Sequence, residues 1–137
     1  MSDITQRNKY FSSATKKCND CQLIFFDPDN GFEVPSVKKG NTKSEKYLYW
    51  EEFKYLYEPH KEYVIFQHYN LSERRNNLQI RLAETLKTID PSKEIVSFST
   101  AHVAFIYVAE SKEKVFALNF DLFKKWNDQF DLRILSA

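Results

Sequence analysis

The side chains best suited to acid–base or metal chemistry are two carboxylates at i and i+2, Asp27 and Asp29 in "LIFFDPDNG", and two imidazoles, His68 and His102. Such a set could hold a divalent metal through Asp27 and Asp29, with His68 or His102 as a further ligand or as the general base. The metal would activate water against a phosphodiester. A phosphate also needs steadying, and Lys46, Arg74 and Arg75 are the cations placed to do it, with Asn30, Ser99 and Thr100 as neutral hydrogen-bonding partners. Each residue has a plainer use as well. Asp-Pro-Asp-Asn-Gly makes a good turn unaided, because proline fixes one dihedral and Asn-Gly accepts positive φ. Histidines are often ordinary hydrogen-bonded structural residues. Cations in a first helical turn oppose the macrodipole by a few tenths of a kcal/mol, so solvent exposure or an anionic ligand explains Arg74 and Arg75 better than helix stability does.

The elements that must position these groups are legible from period and punctuation. Residues 23–26 read as a short buried-type strand, 46–50 ("KYLYW") as extended, and 51–57 as a helix with Phe53, Leu56 and Tyr57 on one face, ended by Pro59. Residues 63–67 ("YVIFQ") form the next strand. Leu78, Leu82, Leu86 and Ile89 then recur at helical spacing over 72–89, with Ser72 as N-cap and Asp90-Pro91 as the stop. "EIVSFS" and "VAFIYVA" read as an antiparallel hairpin through a tight Thr100-Ala101 connection. Ser111 opens a last helix with a stripe of Val115, Leu118, Leu122, Trp126 and Phe130.

Strands separated by helices predict an α/β domain with a mainly parallel sheet, flanking helices and an antiparallel hairpin strand at its C-terminal end. In that arrangement Asp27, His68, Ser99 and Thr100 follow strand ends, and His102 begins a strand on the same edge, where open α/β sheets bind ligands. One long segment, 32–45, lacks periodicity and carries Lys38, Lys39 and Lys43, so it reads as a flexible basic loop.

At 137 residues the chain suits one domain, and 42% apolar with 16% aromatic residues favours a folded globule over disorder. A net charge of +1 gives no global field toward nucleic acid or an anionic membrane, so any such preference must be local. No apolar run approaches the roughly 18 residues of a membrane span, and "MSDITQRNKY" lacks a signal-peptide core, which makes a cytoplasmic protein without a membrane partner the expectation. Cys18 and Cys21 make a lone C-x-x-C. It is half a zinc site at best, and two reduced thiols is the plainer reading.

Taken together, "FFDPDNGFEV", "EKYLYWEEF", "VIFQHYN" and "STAHVAFIYVA" resemble a family of uncharacterised bacterial and phage proteins with DPD(N/T)G, KY-x-x-W, QH and TAHV motifs. The resemblance spans about residues 23–109. More distantly, the element order is similar to the C-terminal half of Rossmann-like methyltransferases, where a strand ending in Asp-Pro-Pro-aromatic holds the target amine. Here Asp29 and Asn30 occupy the last two of those places, which adds negative charge beside the attacking group. Only 22 residues without a glycine precede Leu23, too few for the glycine-rich turn that cradles S-adenosylmethionine, so that cofactor is not expected with this chain alone. The resembling proteins are longer at the N-terminus, and the chain reads as a truncated or minimal version of them.

Two functions follow as expectations. One is a nucleotide- or nucleic-acid-phosphate-binding domain, whose enzymatic form would be a metal-dependent nuclease or phosphodiesterase. The other is a non-catalytic interaction module, or a degenerate methyltransferase-like half, that forms a homodimer along the bordering first strand.

Overall fold

The computed structural model describes residues 4–69, 74–115, 117 and 131–135. In chain order the elements are α1 (Ile4–Lys17), β1 (Leu23–Phe26), β2 (Gly31–Phe32), a 3-10 turn (Ser44–Lys46), β3 (Tyr47–Leu48), α2 (Trp50–Leu56), β4 (Glu62–His68), α3 (Arg75–Ile89), β5 (Glu94–Ser99), β6 (Val103–Ala109) and β7 (Asp131–Ile134). The strands and helices expected from period therefore form within a few residues of their predicted bounds. Ser72 lies outside the described residues; Arg74 takes the N-cap position of α3 with extended backbone. The helix expected after Ser111 begins at residue 112, but Leu118, Leu122, Trp126 and Phe130 of its stripe lie outside the described residues. No helix among the described residues is long and apolar enough to cross a membrane.

The pairing corrects one expectation. The five-stranded sheet has the order β1-β4-β6-β5-β7, and only β1 and β4 pair in parallel. The pairs β4–β6, β5–β6 and β5–β7 are antiparallel, so the domain is mixed α/β with a mainly antiparallel sheet instead of a mainly parallel, Rossmann-like one. The cause is the insertion of β6 between β4 and β5. Its alternate residues Ala104, Ile106 and Val108 are almost wholly buried on one face, and this most apolar strand gains most from a central place bonded on both sides. The hairpin thus fills the middle of the sheet and does not close its end. Even so, β1, β4 and β5 still run the same way, because β6 reverses direction twice between β4 and β5.

The core covers one face. Tyr63 and Ile65 of β4, Ile95 of β5 and Ile106 of β6 pack against Leu78, Leu82 and Leu86 of α3 and Phe53 and Leu56 of α2. Phe53 is the aromatic hub, with ring centroids 5.7 Å from Phe26, 5.8 Å from Phe32 and 5.4 Å from Tyr63. On the opposite face Val115 packs on Val96, Ala109 and Tyr107.

α1 was not anticipated, since its sequence has little amphipathic pattern. It is docked by a buried cation. Arg7 donates to Glu52 at 2.7 and 2.6 Å, and to the carbonyls of Ser44 and Tyr47 at 3.0 Å each. Segment 32–45 is tied down at several points: Tyr49 donates to the Val37 carbonyl at 2.8 Å, Glu33 caps the Trp50 N–H at 2.8 Å, and Lys39 pairs with Glu51.

Candidate functional site

Because β1, β4 and β5 are co-directional, their C-terminal ends share an edge, and β6 begins there. The segments leaving those strands are joined through their backbones. Asn30 N–H donates to the Lys46 carbonyl at 2.9 Å, His68 N–H to the Asn30 carbonyl at 3.1 Å, and Tyr69 N–H to the His102 carbonyl at 3.1 Å. Thr100 N–H closes the β5–β6 turn on the Val103 carbonyl at 2.9 Å. Lys46, Asn30, His68 and His102, drawn from four separate parts of the chain, are thereby fixed in one row.

Gln67 anchors this row from beneath. Strand alternation turns it to the core side with Tyr63 and Ile65, where its Oε1 accepts from Phe32 N–H at 2.9 Å and its Nε2 donates to the His68 carbonyl at 3.1 Å. A polar residue on the inward side of an otherwise apolar strand was the signal that could have identified it. Tyr69 was missed as well. It is buried, accepts from Gln79 Nε2 at 2.7 Å, and carries the Arg75 guanidinium 5.4 Å above its ring. Gln79 Oε1 and Ser97 Oγ are buried without a hydrogen-bond partner among the described residues.

Of the predicted residues, Asp27, Asp29, Lys46, His68, Arg74, Arg75, Thr100 and His102 are exposed, Asn30 is half-buried and Ser99 is buried. The His68 ring has a defined orientation. Its Nδ1 lies 2.9 Å from the Tyr69 carbonyl, which can only accept, so neutral His68 carries its proton on Nδ1 and presents Nε2 as an acceptor. Lys39 leaves the set of available cations, since it is bound to Glu51 and lies 3.7 Å from Glu52.

No three His, Cys, Asp or Glu side chains among the described residues are grouped to hold a metal ion, so Asp27 and Asp29 gain no third ligand from the described part of the chain. Cys18 and Cys21 are both free thiols. Burial and the adjacent Cys21 push the Cys18 thiol above its ordinary value, which opposes the thiolate needed for attack or for soft-metal binding.

What the row offers is an open rim of cations and hydrogen-bonding groups, His68 Nε2 among the acceptors, with two carboxylates at one end. Chemically, such a rim can contact anionic groups and hydroxyls. No family model, no curated protein and no solved structure matches the chain.

Proposed function

We propose that the chain binds a nucleotide or nucleic-acid strand along the edge formed by Lys46, His68, His102, Arg74 and Arg75, the cations taking the phosphates and His68 Nε2 accepting from a ligand hydroxyl or amino group. The observation that carries this reading is the backbone row from Lys46 through Asn30 and His68 to His102, which holds the backbones of three of those residues side by side before any ligand arrives. Asn30 and Thr100 add neutral hydrogen-bonding groups, while Asp27 and Asp29 suit ribose hydroxyls or base amino groups. The side chains stand on an open rim, and an exposed row suits a strand lying across it better than a ligand that must be enclosed. The reading is one of binding. Asp27 and Asp29 have no third His, Cys, Asp or Glu grouped with them among the described residues.

The test is fluorescence anisotropy with a short labelled single-stranded oligonucleotide, competed by nucleoside triphosphates and by inorganic phosphate. The His68→Ala, His102→Ala double variant should weaken oligonucleotide binding about tenfold or more. Competition by nucleoside triphosphates at matched phosphate concentration would identify a nucleotide site, and oligonucleotide binding without such competition a strand site. Wild-type protein that binds neither, or a double variant of unchanged affinity, would overturn the reading.

A further inference from the structure

Among the described residues β1 lies at the border of the sheet, and its hydrogen-bond phase is set. Glu62 N–H donates to the Gln22 carbonyl at 2.8 Å, so Gln22, Ile24 and Phe26 turn their backbone groups to β4. In a parallel ladder alternate residues face opposite ways, which leaves the N–H and C=O of Leu23 and Phe25 facing outward. The side chains agree with an uncovered edge: Leu23 is 55% and Phe25 53% exposed. Of the seven large apolar side chains that stand exposed among the described residues, four belong to α1 and β1: Ile4, Tyr10, Leu23 and Phe25. A groove of about 270 Å³ runs beside this edge, walled by Phe11 and Ala14 of α1 and by Ile24 and Phe26. Nothing in "LIFF" guards the edge; it has no lysine and no proline.

We infer that a second copy of this chain adds to the sheet here, β1 against β1 in antiparallel fashion about a two-fold axis at Ile24. The register is dictated by the outward pair. Only an axis at Ile24 sets Leu23 of each copy opposite Phe25 of the other, so that both outward residues of both copies bond. The apolar side chains follow the same geometry. Phe25 lies 6.2 Å from the Phe105 ring, at the border end of an aromatic row that includes Phe66 at 5.7 Å and Phe98 at 5.4 Å from Phe105. Leu23 of the second copy continues that row.

Charge selects a second copy over an unrelated strand. With the axis at Ile24, Asp27 falls opposite Cys21 of the other chain, in a stretch just past α1 where the exposed cations Lys16 and Lys17 outnumber the exposed Asp20. The acidic end of each β1 thus meets the basic end of its mate, and symmetry makes the match twice. Strand addition of only four residues yields few backbone bonds, so the association depends on Leu23 and Phe25 and on protein concentration.

Light scattering over a concentration series tests this directly. Wild-type protein should pass from monomer to dimer, and Phe25→Lys should remain monomeric over the same range with unchanged circular dichroism, because the residue it replaces is exposed. Lys17→Glu should raise the dimer dissociation constant several-fold, and Lys17→Glu with Asp27→Lys should restore it. In a Cys18→Ser, Cys21→Ser background, Ile24→Cys should form an intermolecular disulfide on mild oxidation by a small-molecule disulfide, two thiols giving one S–S bond and the reagent leaving as two thiols. Wild type that is monomeric at every concentration would overturn the inference. So would a dimer that Phe25→Lys leaves intact, or one that neither the charge swap nor the Ile24→Cys link affects.

Discussion

The side-chain amide of Gln67 occupies the space that a side chain on Gly31 would need. Gln67 Oε1 accepts from Phe32 N–H at 2.9 Å, and a Cβ on Gly31 would overlap that oxygen. Gly31 also has φ of +109°, a backbone that L side chains rarely adopt. Gly31→Ala therefore meets strain and overlap together and should cost about 3 kcal/mol or more. Gln67→Ala should cost about 2 kcal/mol by leaving a buried N–H without its acceptor. The double variant should lose less than the two singles combined, because removing the amide frees room for the methyl group. Urea denaturation measures all three, and strict additivity would mean that the two residues do not share this space.

Arg7 and Glu52 stand 45 positions apart and meet in a buried two-pronged ion pair. Arg7→Met would leave the Glu52 carboxylate with only the Tyr49 N–H at 3.0 Å and the more distant Lys39 ammonium. A loss of about 3 kcal/mol is expected, since an uncompensated buried charge costs more than the pair contributes. Arg7→Met with Glu52→Gln should recover part of it, as the neutral amide still accepts from Tyr49. Denaturant midpoints check both, and limited proteolysis should cut α1 first in the single variant. A single variant as stable as wild type would show that α1 does not depend on this pair.

Arg7 also explains why part of the fold could not be read from the chain. Period and punctuation find elements that bury an apolar stripe, such as α3 with Leu78, Leu82 and Leu86, or the hairpin of β5 and β6. α1 is held by Phe11 on the core and by one cation reaching residues 37 to 45 positions away, and such contacts leave no local pattern. The two-residue strands β2 and β3 are likewise too short for alternation to register. Strand direction was legible because helices separate the first three strands, and direction alone was enough to put Asp27, His68 and His102 on one edge. Pairing order was not: a hairpin can place its second strand at the border or in the middle with the same period. The run "VAFIYVA", apolar on both faces, was the clue to the middle. Lys39 reads in sequence as one cation of a basic loop because its partners Glu51 and Glu52 come close only in space.

Tyr57 donates to Asp90, joining the C-terminal ends of α2 and α3. Burial first, then the bond to Asp90, holds the Tyr57 phenol well above its ordinary value of 10.0. Burial acts to raise Asp90, but hydrogen bonds from Ser92 and Tyr57 outweigh it and keep that carboxyl below 3.8. A raised folded-state value stabilises at pH below the unfolded value and is lost as pH climbs through the folded one. A depressed value stabilises above the unfolded value and is lost as pH falls through the folded one. Stability from this pair should thus be full between about pH 4 and 10 and decline on both sides. Tyr57→Phe should lower the plateau by about 1 kcal/mol and flatten the acid limb. The alkaline limb should persist in part, because burial also pushes up Tyr63 and Tyr107. Denaturant titrations across the pH range decide this; an acid limb unchanged in Tyr57→Phe would separate Asp90 from Tyr57.

Salt dependence can distinguish the cations that touch phosphate from those that only stabilise the fold. Each Lys or Arg that neutralises a phosphate on a single strand releases counterions, so losing one should shallow the slope of log K against log salt by about 0.7. Lys46→Ala, Arg74→Ala and Arg75→Ala should each show that change. Arg75 should show it even though its guanidinium lies 5.4 Å above the Tyr69 ring, because the residue stays exposed. Lys39→Ala is the control: its ammonium is engaged by Glu51 and Glu52, so its removal should leave the slope unchanged. Anisotropy titrations with a single-stranded oligonucleotide at several salt concentrations give the four slopes. If Lys39→Ala shallows the slope while the other three do not, the phosphate lies over α2 and not along the strand edge.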